Sequence, residues 1–165
     1  SSRNTASSSA LLSRLSEELQ KLVGQFKLSE DGKLINWSRS YSVGVSRMDD
    51  EHKRLIDIIN SLYAAMRAGR SNEAIGSILN ELAEYTKTHF GHEEKLMQEC
   101  KYEGYAQQKA AHEALIRQVV EIQGKYRDGT ALGQEVMNFL RDWLIKHIQG
   151  MDSQYGKAMN KCGYK

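Results

Sequence analysis

The chain has 165 residues, 27% of them charged, and a formal net charge of +2, which is long enough for one domain with a core and an appendage. The near-even charge argues against a nucleic-acid surface, which needs a basic patch, and the sequence lacks a run of apolar residues long enough to span a membrane. Because proline is absent and no sustained alternation of apolar and polar residues occurs, the sequence predicts an all-α protein.

Residues 1–33 are predicted to form an appendage to the main domain. Residues 1–9 are serine-rich and predicted to be disordered. The next segment, 11–26, spaces its apolar residues by three and four, at Leu12, Leu15, Leu19, Leu22 and Phe26. This spacing fits an amphipathic helix packed on its own domain and a short self-associating coiled-coil seam equally well. The start has no Met and no apolar signal-peptide core, so we expect a fragment of a longer, non-secreted protein.

The two cysteines, Cys100 and Cys162, are too few for a disulfide framework. We therefore expect free thiols and a reducing, cytoplasmic location.

Four helices are predicted after an irregular arm at 34–47 that lies over the core. Apolar residues recur at helical spacing in four segments, at 48–68, 72–99, 106–127 and 131–149. Because the connections between them are short, the sequence predicts an antiparallel up-down-up-down four-helix bundle. The main domain would then span 34–159, followed by a tail at 160–165.

Four of the five histidines fall one per predicted helix, and each continues the apolar stripe of its helix. They are His52, His89, His112 and His147. A single inward-facing histidine is more often a hydrogen-bonded core residue than a ligand. Four unconnected ones would each cost about 1–3 kcal/mol as buried polar groups without partners. A shared metal centre would satisfy all four at once, so the pattern favours metal binding.

Two carboxylates lie near these histidines along the chain. Glu93 follows His89 by four residues and therefore shares its helix face. Asp152 follows His147 by five residues, about 140° around an ideal helix. To reach the same metal, the helix must be unwound or bulged there, which Gly150 would ease. Otherwise Asp152 is an exposed residue at a fraying helix end.

The ligand types indicate the metal. Imidazole and carboxylate suit iron, manganese or zinc, and no cysteine lies on the stripes, which argues against a thiolate site. Two carboxylates able to bridge favour a two-metal centre. His92 precedes Glu93 and points about 100° away from its stripe, so we expect a surface or supporting role. Tyr63 and Tyr85 are candidate proton donors but fit the core better.

The chain resembles the bacterial hemerythrins over about residues 34–159. The resemblance rests on YSVGVSRMDDEH (41–52), HFGHEEKLM (89–97), the histidine in KAAHEAL (109–115) and WLIKHIQGMD (143–152). It implies a bundle that holds a non-haem di-iron centre with an oxo or hydroxo bridge and binds O₂. By this resemblance His52 and His89 hold the O₂-binding iron, Glu93 and Asp152 bridge both irons, and His112 and His147 hold the second iron.

Gln108 departs from that family pattern, which has a third histidine for the second iron four residues before His112. Glutamine is a weak ligand through its amide oxygen, or it leaves a water in place. Both irons would then have an open position, which favours easier autoxidation, peroxide chemistry or weaker metal retention over simple O₂ carriage.

The segment LLSRLSEELQKLVGQFKL (11–28) resembles the C-terminal end of a methyl-accepting chemotaxis receptor. Together the two resemblances imply a cytoplasmic O₂- or redox-sensing module of such a receptor, with chemotaxis signalling proteins as partners and O₂, another diatomic molecule or peroxide as ligand. The alternatives are a small di-iron enzyme that reduces peroxide or O₂, and a bundle that stores O₂ or iron.

Overall fold

Long helices make up most of residues 32–165, the part of the chain that this computed structural model describes. They are α1 (Ser46–Arg67), α2 (Asn72–Glu99), α3 (Tyr105–Arg127) and α4 (Gln134–Lys146). Within the described residues there is no strand, and none of the helices is long and apolar enough to cross a membrane. The predicted all-α bundle is confirmed, whereas the predicted helix at 11–26 lies outside the described residues.

The ends of the first three helices follow from local chemistry. Ser71 caps α2, since its hydroxyl accepts a hydrogen bond from the Ala74 amide at 3.2 Å. After α1 and α3 the backbone turns through the left-handed region at Gly69 (φ 63°) and Gly129 (φ 95°). Glycine adopts this conformation without steric cost, and the helices end there as the sequence predicts.

The predicted arm runs over the core and then leads into α1. It contains one 3₁₀ turn, Arg39–Tyr41, and buries four apolar side chains, those of Leu34, Ile35, Val43 and Val45. Asn60 of α1 accepts from the Ile35 amide at 2.9 Å and donates to the Ile35 carbonyl at 2.8 Å. The arm is therefore anchored to α1 through its backbone.

The fourth predicted helix does not end at 149. It begins later than predicted, at Gln134, and after Lys146 it continues through a π-helical segment, His147–Asp152, into a further helix, α5 (Ser153–Lys161). Met159 and Tyr155 of α5 are fully buried. These apolar contacts extend the helix past the predicted end, so the chain does not fray at Asp152.

The expectation of free thiols is wrong. Cys100 directly follows α2 and Cys162 directly follows α5, and the two form a disulfide with 5.6 Å between their Cα atoms. Their separation of 62 residues hid this proximity, because only the packing of α5 on the bundle brings the two helix ends together. The cysteines therefore no longer support a reducing compartment.

Candidate metal centre

The structure brings the six predicted ligands to one place in the middle of the bundle. His52 comes from α1, His89 and Glu93 from α2, and His112 from α3. The π-helical segment supplies the other two, His147 and Asp152. All six are buried, and His147, the most exposed, exposes only 5% of its surface.

The ligand atoms form two groups that share Glu93. One group comprises His52, His89 and Glu93, and the other comprises Glu93, His112, His147 and Asp152, with the ligand atoms of each group within 4.8 Å of one another. Two neighbouring groups that share one carboxylate offer ligands for two metal ions.

Each carboxylate faces both groups. Oε1 of Glu93 contacts Nε2 of His89 and lies 3.3 Å from Nε2 of His52, while Oε2 lies 3.6 Å from Nε2 of His112. Asp152 presents Oδ2 to His52 at 3.2 Å and Oδ1 to His147 at 3.1 Å. The two oxygens of each side chain thus point to different histidine groups, which is the arrangement that a bridging carboxylate needs.

The π-helical segment explains how Asp152 reaches the centre. In an α-helix, residues five apart diverge by about 140°, but i→i+5 hydrogen bonding widens the turn and brings them onto one face. The predicted distortion is therefore confirmed, and Gly150 lies within it. The alternative of a solvent-exposed Asp152 is excluded, because its side chain is fully buried.

Two further carboxylates orient the histidines from outside. Glu51 of α1 accepts from Nδ1 of His89 at 2.7 Å and from Nδ1 of His92 at 2.9 Å. Glu94 lies 3.3 Å from Nδ1 of His112. An outer carboxylate of this kind fixes the ring and its tautomer, leaving Nε2 to face inward. The supporting role expected of His92 is consistent with this contact.

Two aromatic rings hold the imidazoles of the second group. Phe90 stacks on His112 with 3.7 Å between ring centres, and Trp143 stacks on His147 at 4.5 Å. These stacked rings restrict how far either imidazole can turn about its side-chain bonds. Neither contact was predicted from the sequence.

Sequence reasoning missed Glu51, Glu94 and Phe90 because each adjoins a predicted site residue. On a single helix such a neighbour points about 100° away, so the spacing alone indicates a different role. Each contact forms because a second helix packs alongside and brings a histidine to that neighbour. The sequence did contain one signal, because Glu51 lies directly before the predicted ligand His52 and Glu94 lies directly after the predicted ligand Glu93.

Gln108 and Tyr155 are buried in the same part of the bundle. Gln108 lies on α3 one turn before His112 and is 1% exposed, and Tyr155 follows Asp152 by three residues and is fully buried. Neither the Gln108 amide nor the Tyr155 hydroxyl makes a hydrogen bond within the described residues. Burial and the nearby Glu93 and Asp152 charges hold the pKa of Tyr155 well above its ordinary value, so it stays a neutral phenol.

The buried carboxylates and histidines of the site perturb one another's pKa values strongly. Burial opposes protonation of His52, yet the close carboxylates of Asp152 and Glu93 raise its pKa to about 10. Burial likewise opposes ionisation of Glu93, but the charge of His89 and the close rings of His112 and His52 hold its pKa well below the usual value. A buried carboxylate that is held ionised, as Glu93 is, favours a cation beside it.

The residues present fit a pair of divalent cations. Of the buried side-chain atoms that lack a hydrogen bond within the described residues, four lie against the other predicted ligands, namely both oxygens of Asp152, Oε2 of Glu93 and Nε2 of His89. Buried polar atoms rarely remain unpaired in native proteins. Imidazole nitrogens with carboxylate oxygens are the donor set of iron, manganese or zinc, and a metal between them would contact each of these atoms.

A small apolar cavity of about 20 Å³ lies beside the centre. Each of the four helices contributes a lining residue three positions from its own site histidine, and these residues are Leu55, Thr86, Leu115 and Leu144. The Thr86 hydroxyl donates to the Leu82 carbonyl at 2.6 Å and so adds no free polar group. The cavity therefore places a small apolar space about one helical turn from the histidines.

Comparison with known proteins agrees with this geometry. Residues 43–159 match the Hemerythrin HHE cation binding domain. The bacteriohemerythrin of Methylococcus capsulatus is 34% identical over 129 residues, covering 77% of this chain and 98% of its own. That of Stenotrophomonas maltophilia is 33% identical over 122 residues, covering 74% and 79%.

The fold comparison points the same way. A crystal structure of wild-type hemerythrin superposes with a TM-score of 0.72 at 34% identity, covering 76% of this chain and 98% of the crystallised one. The matched region contains all six of the converging side chains. On this sequence match and this shared fold, the chain belongs to the hemerythrin family of cation-binding domains.

Proposed function

We propose that residues 43–159 bind two iron ions and, through them, O₂. The observation that carries this proposal is the pair of histidine groups bridged by Glu93 and Asp152. His52 and His89 would hold one iron, His112 and His147 the other, and the two carboxylates would bridge both. When bound, the iron pair supplies redox-active positions at which a small molecule can be held.

The protein's own residues provide the surroundings that reversible binding requires. The lining of the small cavity is apolar and offers few partners to water or to charged molecules. Stacking and the outer carboxylates hold the imidazoles in place. Tyr155 and Gln108 are buried polar residues outside the predicted ligand set whose side chains lack hydrogen bonds within the described residues.

Metal content and O₂ titration test this proposal together. Protein purified without added metal is expected to contain about two irons per chain, and its reduced form to show a reversible spectral change with O₂. The variant Asp152→Asn keeps the side-chain shape but loses the bridging charge, so it should retain less iron. Zinc in place of iron, or no metal, would contradict the proposal, and sustained peroxide turnover with an electron donor would point to the enzyme alternative.

We further propose that the domain acts as an O₂ or redox sensor in a chemotaxis receptor. The support is the receptor-like segment 11–28 and a set of contacts from the centre to the arm, which follows that segment in the sequence. The π-helical segment that carries Asp152 packs on the 3₁₀ turn of the arm, and Gly156 of α5 packs directly against Val43. A change at the carboxylate bridge can move this arm, which continues toward the receptor-like segment.

Limited proteolysis checks this coupling. The reduced and the oxidised, O₂-exposed protein are expected to differ in cleavage within residues 10–45. Identical cleavage in both states would rule out coupling through the arm while leaving O₂ binding itself intact. The proposed cytoplasmic location now rests on the receptor-like segment alone.

A further inference from the structure

Gln108 is the core residue whose polar atoms are least accounted for. It is 1% exposed, and neither its amide oxygen nor its amide nitrogen makes a hydrogen bond within the described residues. Leaving such a group unpaired in the core costs about 1–3 kcal/mol. A leucine would fill the space without this cost, so the polar amide needs a partner.

The position of Gln108 indicates that partner. It lies four residues before His112 on α3, so both side chains project from the same buried helix face. The oxygen of a glutamine amide extends about as far from the backbone as Nε2 of a histidine does. The oxygen also carries the available lone pairs, whereas the amide nitrogen carries hydrogens and does not bind metal.

We propose that the amide oxygen of Gln108 is a ligand of the second metal position, beside His112 and His147, and makes that position more permissive to Mn(II) than a histidine would. This inference rests on the proposed two-metal function. Gln108 would then affect which metal binds as well as how tightly the metal is retained.

The selectivity follows from the donor atoms. Carbonyl and carboxylate oxygens suit manganese, whereas imidazole nitrogens favour iron and the later divalent metals. With Gln108 as ligand, each metal position has two imidazoles, His52 and His89 in one and His112 and His147 in the other. The glutamine amide is neutral, as the imidazole of a histidine at this position would be. The charge of the site is therefore the same with either residue, and only the hardness of the donor atom differs. Fe(II) is still expected to bind more tightly than Mn(II). The expected effect of Gln108 is therefore a higher ratio of bound manganese to bound iron.

A metal competition on the full chain tests the proposal. Metal-free protein is incubated without O₂ with Fe(II) and Mn(II) at equal concentrations, both in excess over the protein. It is then desalted and assayed for both metals by elemental analysis. Electron paramagnetic resonance then reports the bound Mn(II). The Mn:Fe ratio of the natural chain is expected to exceed that of Gln108→His by roughly five- to tenfold, which corresponds to about 1.0–1.4 kcal/mol. Gln108→Leu, similar in size but without a donor, is expected to bind less total metal than either.

Each outcome bears on a different claim. Equal Mn:Fe ratios in the natural chain and in Gln108→His would overturn the selectivity role. Unchanged metal content in Gln108→Leu would overturn the assignment of Gln108 as a ligand. If the natural chain and Gln108→His both bind fewer than two metals, the two-metal function itself fails. Should Gln108→Leu not fold, the comparison of glutamine with histidine still decides the proposal, since both are polar side chains of similar reach.

Discussion

At the scale of single residues, Glu51 links the buried centre to the protein surface. Its carboxylate accepts from His89, which is buried, and from His92, whose side chain is 37% exposed. Burial raises the pKa of Glu51, but hydrogen bonds and charge from His89 and His92 outweigh it and lower the pKa overall. An ionised Glu51 requires Nδ1 of His89 to be the donor, which leaves Nε2 free to bind metal.

Replacing Glu51 tests this orienting role. Glu51→Ala is expected to weaken metal affinity by about 10–100-fold, because His89 loses the partner that fixes its ring and tautomer. Glu51→Gln should weaken it less, since an amide oxygen still accepts the hydrogen bond. The measurement is competition with a coloured chelator of known affinity.

Asp50→Ala is the matched control, because Asp50 is the preceding residue of α1 and its side chain is 77% exposed. It should leave metal affinity unchanged. Equal affinities for Glu51→Ala and Asp50→Ala would mean that stacking and packing alone orient His89.

At the scale of elements, the π-helical segment decides the geometry of the second histidine group. Asp152 lies five positions after His147, whereas Glu93 lies four positions after His89. The widened turn at His147–Asp152 absorbs the additional residue, so both pairs present ligands to one centre. The helices on either side, α4 and α5, keep the register with which they bury Leu144 and Tyr155.

Deleting the exposed Gln149 is expected to preserve the centre. The spacing from His147 to Asp152 then becomes four residues, which a regular α-helix places on one face. Iron content should match that of the natural chain. Inserting one alanine after Gln149 is the opposite control, because a spacing of six turns Asp152 about 240° from His147 on an α-helix. Loss of iron in the deletion variant would show that the π geometry itself is required.

The helices themselves were largely predictable from the sequence. Their apolar stripes, Ser71 and the two turn glycines define the bounds of α1 to α3 to within about two residues. The stripe stops being regular where the π-helical segment interrupts it. A periodic pattern read at 100° per residue therefore missed α5.

At the scale of the whole molecule, the disulfide joins the end of α2 to the end of the chain. It closes a loop that contains α3, α4 and α5. Tyr164 adds a hydrogen bond to Glu99 at 2.7 Å beside it. A crosslink that spans this much chain restricts the unfolded state more than a short one does.

Removing the crosslink is expected to lower the free energy of unfolding by about 2–4 kcal/mol, measured by denaturant titration of the double variant Cys100→Ser/Cys162→Ser. Thiol reductant should lower the stability of the natural chain by a similar amount and leave the double variant unchanged. Tyr164→Phe is the control, because it removes only the nearby hydrogen bond and should cost no more than about 1 kcal/mol. A natural chain insensitive to reductant would contradict the disulfide.

The sequence by itself determined α1 to α4 in outline and the inward direction of the four histidines, because these depend on spacings within one helix. The short connections determined the antiparallel order of the helices. The sequence also indicated that Asp152 could join the centre only through a distorted helix. Tertiary structure alone decided the contacts between helices, such as Glu51 with His89, Phe90 with His112 and Cys100 with Cys162. The physical reason is that helical periodicity specifies which face a side chain occupies, whereas its partner depends on how separate helices pack.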